Sequence, residues 1–394
     1  MTSRTRADDL FPTSRPVPEA MIGRSKDVAE LTLLLGNGLH QVLAGARKEG
    51  KSTVCRAATA RLRESGTYVV EADLMYLPSL VALAGALVEE AISNRSAPKR
   101  AVHAATKTAR SALSALSLVA VSRLKHDLGT DLEVVLEPAL ARRDPWSYFD
   151  KAMRMLQRIC EVDDTHLVLF LDEFQELGAP RHSYGDPDEV MNLMRAVLQD
   201  SPRVTCLFTG SVHHMMRDLF GQSHRAFYKW GAWYSLSEIE SEEWKAGLTA
   251  RLEGSPISFH EPALDHLLEL SEGHARTTML VAQQAYLAAL TDGAALVDAV
   301  LVDAAFEMAE RVDAGEHELH LRELRGLGRH ALDVAIRIAA GQPPYRAAGA
   351  RSVQRAIEAV AGVGMIEQRG VHGRGGWVVT DPLLRRFLAR LWVG

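Results

Sequence analysis

Little in this sequence fits a secreted, membrane-spanning or disulfide-built protein. Its 394 residues include three cysteines, Cys55, Cys160 and Cys206, widely separated and odd in number. They show neither disulfide nor metal-site spacing, which points to a reducing cytoplasm. The opening stretch MTSRTRADDLFPTSRPVPEA has no apolar centre and so no cleavable-signal pattern. The longest apolar runs, such as LVLFL, fall far short of the ~20 residues that a bilayer requires, so no membrane partner is expected. Internal repeats and low-complexity blocks are absent. The formal net charge of −5 excludes a polycation.

What remains is ordinary material for a packed core, 47% hydrophobic and 24% charged. The length favours two or three domains. Charge is uneven along the chain: residues 320–394 carry twelve arginines, no lysine and five carboxylates. The first twenty residues mix Pro, Ser, Thr and charge and read as a mobile tail. Strand and helix patterns then alternate. HQVLAG (40–45), TYVVEAD (67–73), HLVLFLD (166–172), RVTCLFTGS (203–211) and WYSLS (233–237) read as strands, with helices over 51–66 and 77–92. Strands separated by helices imply βαβ units and a parallel sheet, an α/β fold. Residues 93–126 hold seven Lys or Arg and no carboxylate. They read as a basic helical insertion, either a solvated face or a contact for nucleic acid or a partner.

GARKEGKST (45–53) fits G-x-x-x-x-G-K-[ST]. Glycines let the backbone turn tightly enough to aim successive N–H groups at phosphate oxygens. The helix opening at Lys51 turns its positive end to the same anion. Lys51 is expected to reach the β and γ phosphates and Ser52 to hold Mg²⁺, with Gly45, Ala46, Arg47, Lys48, Glu49, Gly50 and Thr53 completing the cradle. By composition alone, about one chain in a hundred of this length carries such a match. Here the match also follows a strand and opens a helix. ATP and Mg²⁺ are therefore the expected cofactors.

The strand LVLFLDEFQEL ends in Asp172 and Glu173. Asp172 is expected to hold the metal, directly or through water, and Glu173 to polarise the attacking water; the alternative is an exposed acidic pair capping a helix. The strand RVTCLFTGS ends in Thr209 and Ser211, either γ-phosphate readers or simple turn residues. Phosphate loop, acidic strand and polar strand come in the order of P-loop ATPases with a catalytic glutamate.

Several segments together make the chain resemble archaeal-type ATPases of the STAND group, relatives of the origin-recognition AAA+ proteins. MIGRSKDVAEL (21–31) resembles the segment that in this group lies against adenine, which implies that role for Gly23 and Arg24. LDEFQEL, FTGSVHHMM and AFYKWG resemble the group's acidic strand, polar strand end and FYRFG element, with Lys229 where an arginine is common. SEGHARTTMLVAQQAY (271–286) resembles the lid helix. Of its residues, Arg276 is the one expected to touch phosphate, and His274 is a sensor or a cap. WVVTDPLLRRFLARLW (377–392) resembles the closing strand and helix.

At the C-terminus a helix over 329–342 shows a stripe of Leu332, Ala335, Ile336 and Ala339. A helix over 351–364 buries Val353, Ile357 and Val360, and a hairpin with a glycine-rich basic tip follows. This order reads as a winged helix-turn-helix. Arg346, Arg351, Arg355 and Arg374 are its candidate DNA contacts. The expected division is a tail (1–20), a P-loop core (21–237, with an insertion at about 93–137), a helical lid (238–318) and the winged unit (319–394). The expected function is a Mg-dependent ATP-hydrolysing switch acting on duplex DNA. The alternative is a signalling or scaffold ATPase whose winged unit and insertion bind a protein. No arginine finger is evident, so slow turnover is expected, with a neighbouring subunit of a homo-oligomer able to supply one. No nuclease or other effector chemistry is evident either, so a separate partner protein is expected to carry the output.

Overall fold

The structure, a computed structural model, describes residues 6–13, 17–45, 48–96, 143–179, 181–346, 349–368 and 376–392. Ala46, Arg47, Arg374, the side chain of Arg346 and nearly all of the basic segment 93–137 lie outside the described residues. Arg95, counted with that segment, ends a helix and grips Asp163 with two nitrogens at 2.7 and 2.8 Å.

A short helix, α1 (Ala7–Leu10), opens the described chain, and around it the expectation of a mobile tail is corrected, residues 1–5 and 14–16 lying outside the described residues. Phe11 is fully buried, with its ring centroid 5.8 Å from that of Tyr286. Its carbonyl accepts from Gln283 Nε2 at 3.0 Å, and Arg251 donates to the Leu10 carbonyl. The polar composition concealed one aromatic anchor, and burying a phenylalanine contributes about 2 kcal/mol.

The chain continues through α2 (Ser25–Gly36), β1 (Gln41–Ala44), α3 (Lys51–Glu64), β2 (Tyr68–Asp73) and α4 (Leu80–Ser96). Beyond residue 142 come α5 (Pro145–Val162), β3 (Leu167–Asp172), α6 (Pro187–Leu198), β4 (Val204–Gly210), α7 (His213–Gly221) and β5 (Ala232–Tyr234). These five strands form one sheet in the order β2-β3-β4-β1-β5, and every pairing is parallel. β3 and β4 are buried along their whole length. Their unbroken apolar runs follow from helices on both faces: α4 to α7 cover one, α2 and α3 the other. Because all strands run the same way, the ends of β1, β2, β3 and β4 share one edge. There Asp73 lies opposite Asp172, and Ala44 opposite Gly210.

Next come α8 (Ser241–Arg251), β6 (Ser258–Phe259), α9 (Glu261–Ser271), α10 (Ala275–Asp292), β7 (Leu296–Val297) and α11 (Ala299–Val312). The parallel pairing of β6 with β7 was not expected, since two residues are too few for a periodicity. The apolar faces of these helices share a cluster with Phe11 and Leu383.

The C-terminal residues form α12 (Ala314–Gly326), α13 (Ala331–Ala339), α14 (Ala350–Gly362), an antiparallel pair β8 (Ile366–Gln368) and β9 (Trp377–Val379), and α15 (Pro382–Arg390). Val353, Ile357 and Val360 are fully buried, as expected. On α13 the buried stripe is Ala331, Val334, Ala335 and Ile338, so of the expected stripe Ala335 is buried and the other three positions are not. Leu332 and Ile336 are only partly buried. Adjacent positions are equally apolar there, and packing against α14 and α15 chooses the face. Among the described residues no helix is long and apolar enough to cross a membrane.

Candidate nucleotide site

The loop after β1 turns into α3 through Gly50, whose φ of 88° is left-handed and costs an L residue strain. Lys48 also has a positive φ, 68°. Alternation of this kind points successive amides to one side and makes a concavity for an anion. Val54 N donates to Gly50 O at 3.0 Å, so α3 begins directly behind the loop. Lys51 is 8% exposed, and its Nζ donates to the Gly45 carbonyl at 2.9 Å. Burial lowers the Lys51 pKa, while Glu49, Glu173 and Asp172 oppose that effect.

Asp172 at the end of β3 is 4% exposed. One oxygen accepts from the Thr209 hydroxyl and from the Glu173 amide, the latter at 3.1 Å. Glu173 is left-handed, φ 53°, an uncommon state for a residue with a side chain and one that gathers at functional sites. Its carboxylate accepts from Ser211 Oγ at 2.7 Å and from the Gln175 amide. The polar end of β4 thus serves both acids, Thr209 on Asp172 and Ser211 on Glu173. Asp73, which the sequence reading passed over, adds a third acid beside Asp172. Burial first, then the Asp172 charge, pushes its pKa up to about 6. TYVVEAD marks Asp73 as a strand end, but only the sheet order reveals its neighbour.

A cavity of about 640 Å³ lies over this edge. Lys48 to Thr53, Glu173 and Ser211 form its polar side, and Ile22 and Met279 belong to its apolar side. Its size suits a small organic ligand. Amide concavity, buried cation and helix N-terminus fit a triphosphate, and the Ser52 hydroxyl with the Asp172 carboxylate suits its magnesium. Among the described residues no group of three or more His, Cys, Asp or Glu could hold a metal. A second cavity of about 1100 Å³ shares Arg24, Glu49, Ile239, Trp244 and Ala275 with the first and reaches the β8–β9 pair.

Other expected residues fall in mixed places. Arg24 lines both cavities. Its guanidinium donates to Ser237 O and, at 3.4 Å, to Glu49 O, and lies 3.6 Å from buried Asp27. Gly23 does not line either cavity; a Cβ there would meet Ile239 at 2.8 Å. Arg276 lines the smaller cavity but is gripped by Asp313, with Nη2 to Oδ1 at 2.7 Å, and lies 3.7 Å from Glu316. Glu316 also holds Lys48 of the phosphate loop. His274 caps α10, its Nδ1 facing Thr277 Oγ1 at 2.9 Å. Arg351 and Arg355 are exposed on α14. Asp313 and Glu316 were missed, because no motif marks them and 37 or more residues separate them from Arg276.

No known family profile and no curated protein matches this sequence. Solved structures do. A Walker-type ATPase of Pyrococcus abyssi superposes with a TM-score of 0.68 at 16% identity, over 96% of this chain and 99% of that one. The ORC2 protein of Aeropyrum pernix, in its ADPNP–ADP complexes, gives 0.59 at 17% identity, over 97% and 96%. The same protein in its ADP form gives 0.52 at 16% identity, over 97% and 98%. The chain therefore has the fold of the P-loop ATPases. Its likeness to the Pyrococcus and Aeropyrum proteins extends over almost the full length of each.

Proposed function

We propose that this chain is a magnesium-dependent ATPase switch whose C-terminal unit, a winged helix-turn-helix, engages duplex DNA. The observation that carries the reading is the convergence of Lys51, Asp172 and Glu173 on one sheet edge. Lys51 and the loop amides hold the phosphates, and Ser52 and Asp172 hold the metal. Magnesium, when bound, neutralises charge on the phosphate oxygens. Glu173 orients water, and its hydroxyl partner Ser211 keeps that carboxylate aimed. Gly364, just before β8, supports coupling: a Cβ there would lie 3.3 Å from the Ser211 carbonyl. The strand end and the C-terminal unit therefore lie close together at this point. The bound Aeropyrum nucleotides support ADP-type ligands by fold analogy alone.

A second reading, docking on a protein, has its own observation. Part of the C-terminal arginine surplus is used internally: Arg385 pairs with Glu272, and Arg390 with Glu310 at 2.9 Å. Turnover of ATP, with and without duplex DNA, tests both. The wild type should hydrolyse ATP and Lys51→Ala should lose at least about a hundredfold. DNA retention that falls with salt, and falls again in Arg351→Ala/Arg355→Ala, supports the first reading. Retention indifferent to both changes supports the second.

A further inference from the structure

Glu49 is the last loop residue before Gly50, a place where the phosphate-loop pattern requires no acid. Its side chain folds back toward Gly45. Oε2 lies 2.5 Å, and Cδ 3.6 Å, from where a Cβ on Gly45 would stand. Lys51 Cδ lies 3.7 Å from the same point, and the Lys51 amine donates to the Gly45 carbonyl at 2.9 Å. Carboxylate and ammonium therefore converge at the first glycine of the loop. Of the charges that act on Lys51, Glu49 is the strongest, ahead of Glu173 and Asp172. The Glu49 carbonyl meanwhile accepts from Arg24 at 3.4 Å. Glu49 also lines both cavities, so its side chain has open space into which to turn.

Loop amides and a helix N-terminus favour an anion at this place, whatever its source. We propose that Glu49 is a built-in competitor for the phosphate site: without nucleotide its carboxylate occupies the cradle beside Lys51, and phosphates enter only as it turns away. The inference rests on the ATP reading above and concerns regulation of that same site. Gly45 then has a second duty beyond the turn, since any side chain there would collide with the folded carboxylate. The closed arrangement reduces the fraction of molecules ready for ligand, and apparent affinity falls by that fraction. The association rate carries the penalty, because the carboxylate must leave first, and the dissociation rate does not.

The test is stopped-flow binding of a fluorescent ATP analogue with magnesium, on wild type, Glu49→Gln and Lys51→Ala. Glu49→Gln should bind about tenfold tighter, through faster association with dissociation unchanged. Glu49→Ala, read the same way, replaces it if the glutamine variant does not fold. Wild-type binding that Lys51→Ala abolishes, with Glu49 variants equal to or weaker than wild type, overturns the inference and leaves the ATP reading standing. A gain that appears only in the dissociation rate also overturns it. Absence of binding in wild type and the Glu49 variants alike removes the ATP reading, and the inference with it.

Discussion

Around Lys51 acids outnumber cations, whereas around Arg276 the charges complete one another. Lys51 faces Glu49, Glu173 and Asp172, and Asp73 stands behind Asp172. Three carboxylates thus act directly on one buried cation, and a second cation, Arg56, paired with Glu71, reaches Asp172 and Asp73. Around Arg276, two cations, Arg276 and Lys48, meet two acids, Asp313 and Glu316. Asp381 at the head of α15 stands beside these pairs, close enough to act on Arg276 and Lys48. Burial alone would raise its pKa, but His274, Lys48 and the amides of Leu383 and Leu384 outweigh burial and lower it. The first cluster is overcharged with acid, which favours a bound cation such as the proposed metal. The second is balanced and ties the phosphate loop, α10 and the α11–α12 junction together. Both border one cavity, so a ligand that recruits Lys48 or Arg276 has to draw it from the balanced cluster. Such an exchange would supply the differential affinity that the proposed switch requires.

Three changes probe this contrast. The largest effect belongs to the balanced cluster. Asp313 is 4% exposed, so Asp313→Ala strands the Arg276 guanidinium in a largely buried place. Chemical denaturation should report a loss of about 3 kcal/mol. A loss near zero means that Arg276 already relaxes to other partners and the cluster is not a unit.

The overcharged cluster predicts the opposite sign. Asp73→Asn removes one surplus acid while keeping an acceptor for the Met75 amide, which Asp73 now serves at 3.0 Å. The unfolded carboxyl titrates near 3.8 and the folded one at about 6. A raised carboxylate pKa means that the native state binds the proton more tightly. Its destabilising contribution is therefore complete above pH 6 and gone below about pH 4. The substitution should stabilise the protein at pH 7.5 by about 1 kcal/mol, allowing for the partial solvent exposure of the group. That gain should shrink when unfolding is repeated at pH 5. A pH-independent gain would assign the effect to packing instead of charge.

The smallest effect should come from Lys48→Ala. Its side chain is 26% exposed and that of Glu316 31%. Partly exposed pairs of this kind contribute about 1 kcal/mol or less. A thermal melt should hardly move, although Glu316 keeps Arg276 as a neighbour. A cost equal to that of Asp313→Ala would show that the loop lysine, and not Arg276, holds the balanced cluster together.

Much of the first cluster was legible and almost none of the second. GARKEGKST, LVLFLD and RVTCLFTGS each carry a local signal, because glycine spacing and an unbroken apolar run express backbone geometry directly. These gave the strands, the opening of α3 and the acids Asp172 and Glu173. Asp73 is an ordinary strand-end acid until β2 pairs with β3. Asp313 and Glu316 occupy a helix junction with no pattern of its own. Phe11 shows the same limit, since one aromatic residue in a polar stretch has no periodicity to announce its burial.

The sequence by itself determined a nucleotide-type loop, an acid-ended buried strand and a parallel α/β sheet, because each follows from the conformational needs of neighbouring residues. Tertiary structure alone decided which distant charges meet: Asp73 with Asp172, Arg276 with Asp313, Lys48 with Glu316. The physical reason is that a charge interacts with whatever packing brings within a few ångströms, and chain separation leaves no local trace of that distance.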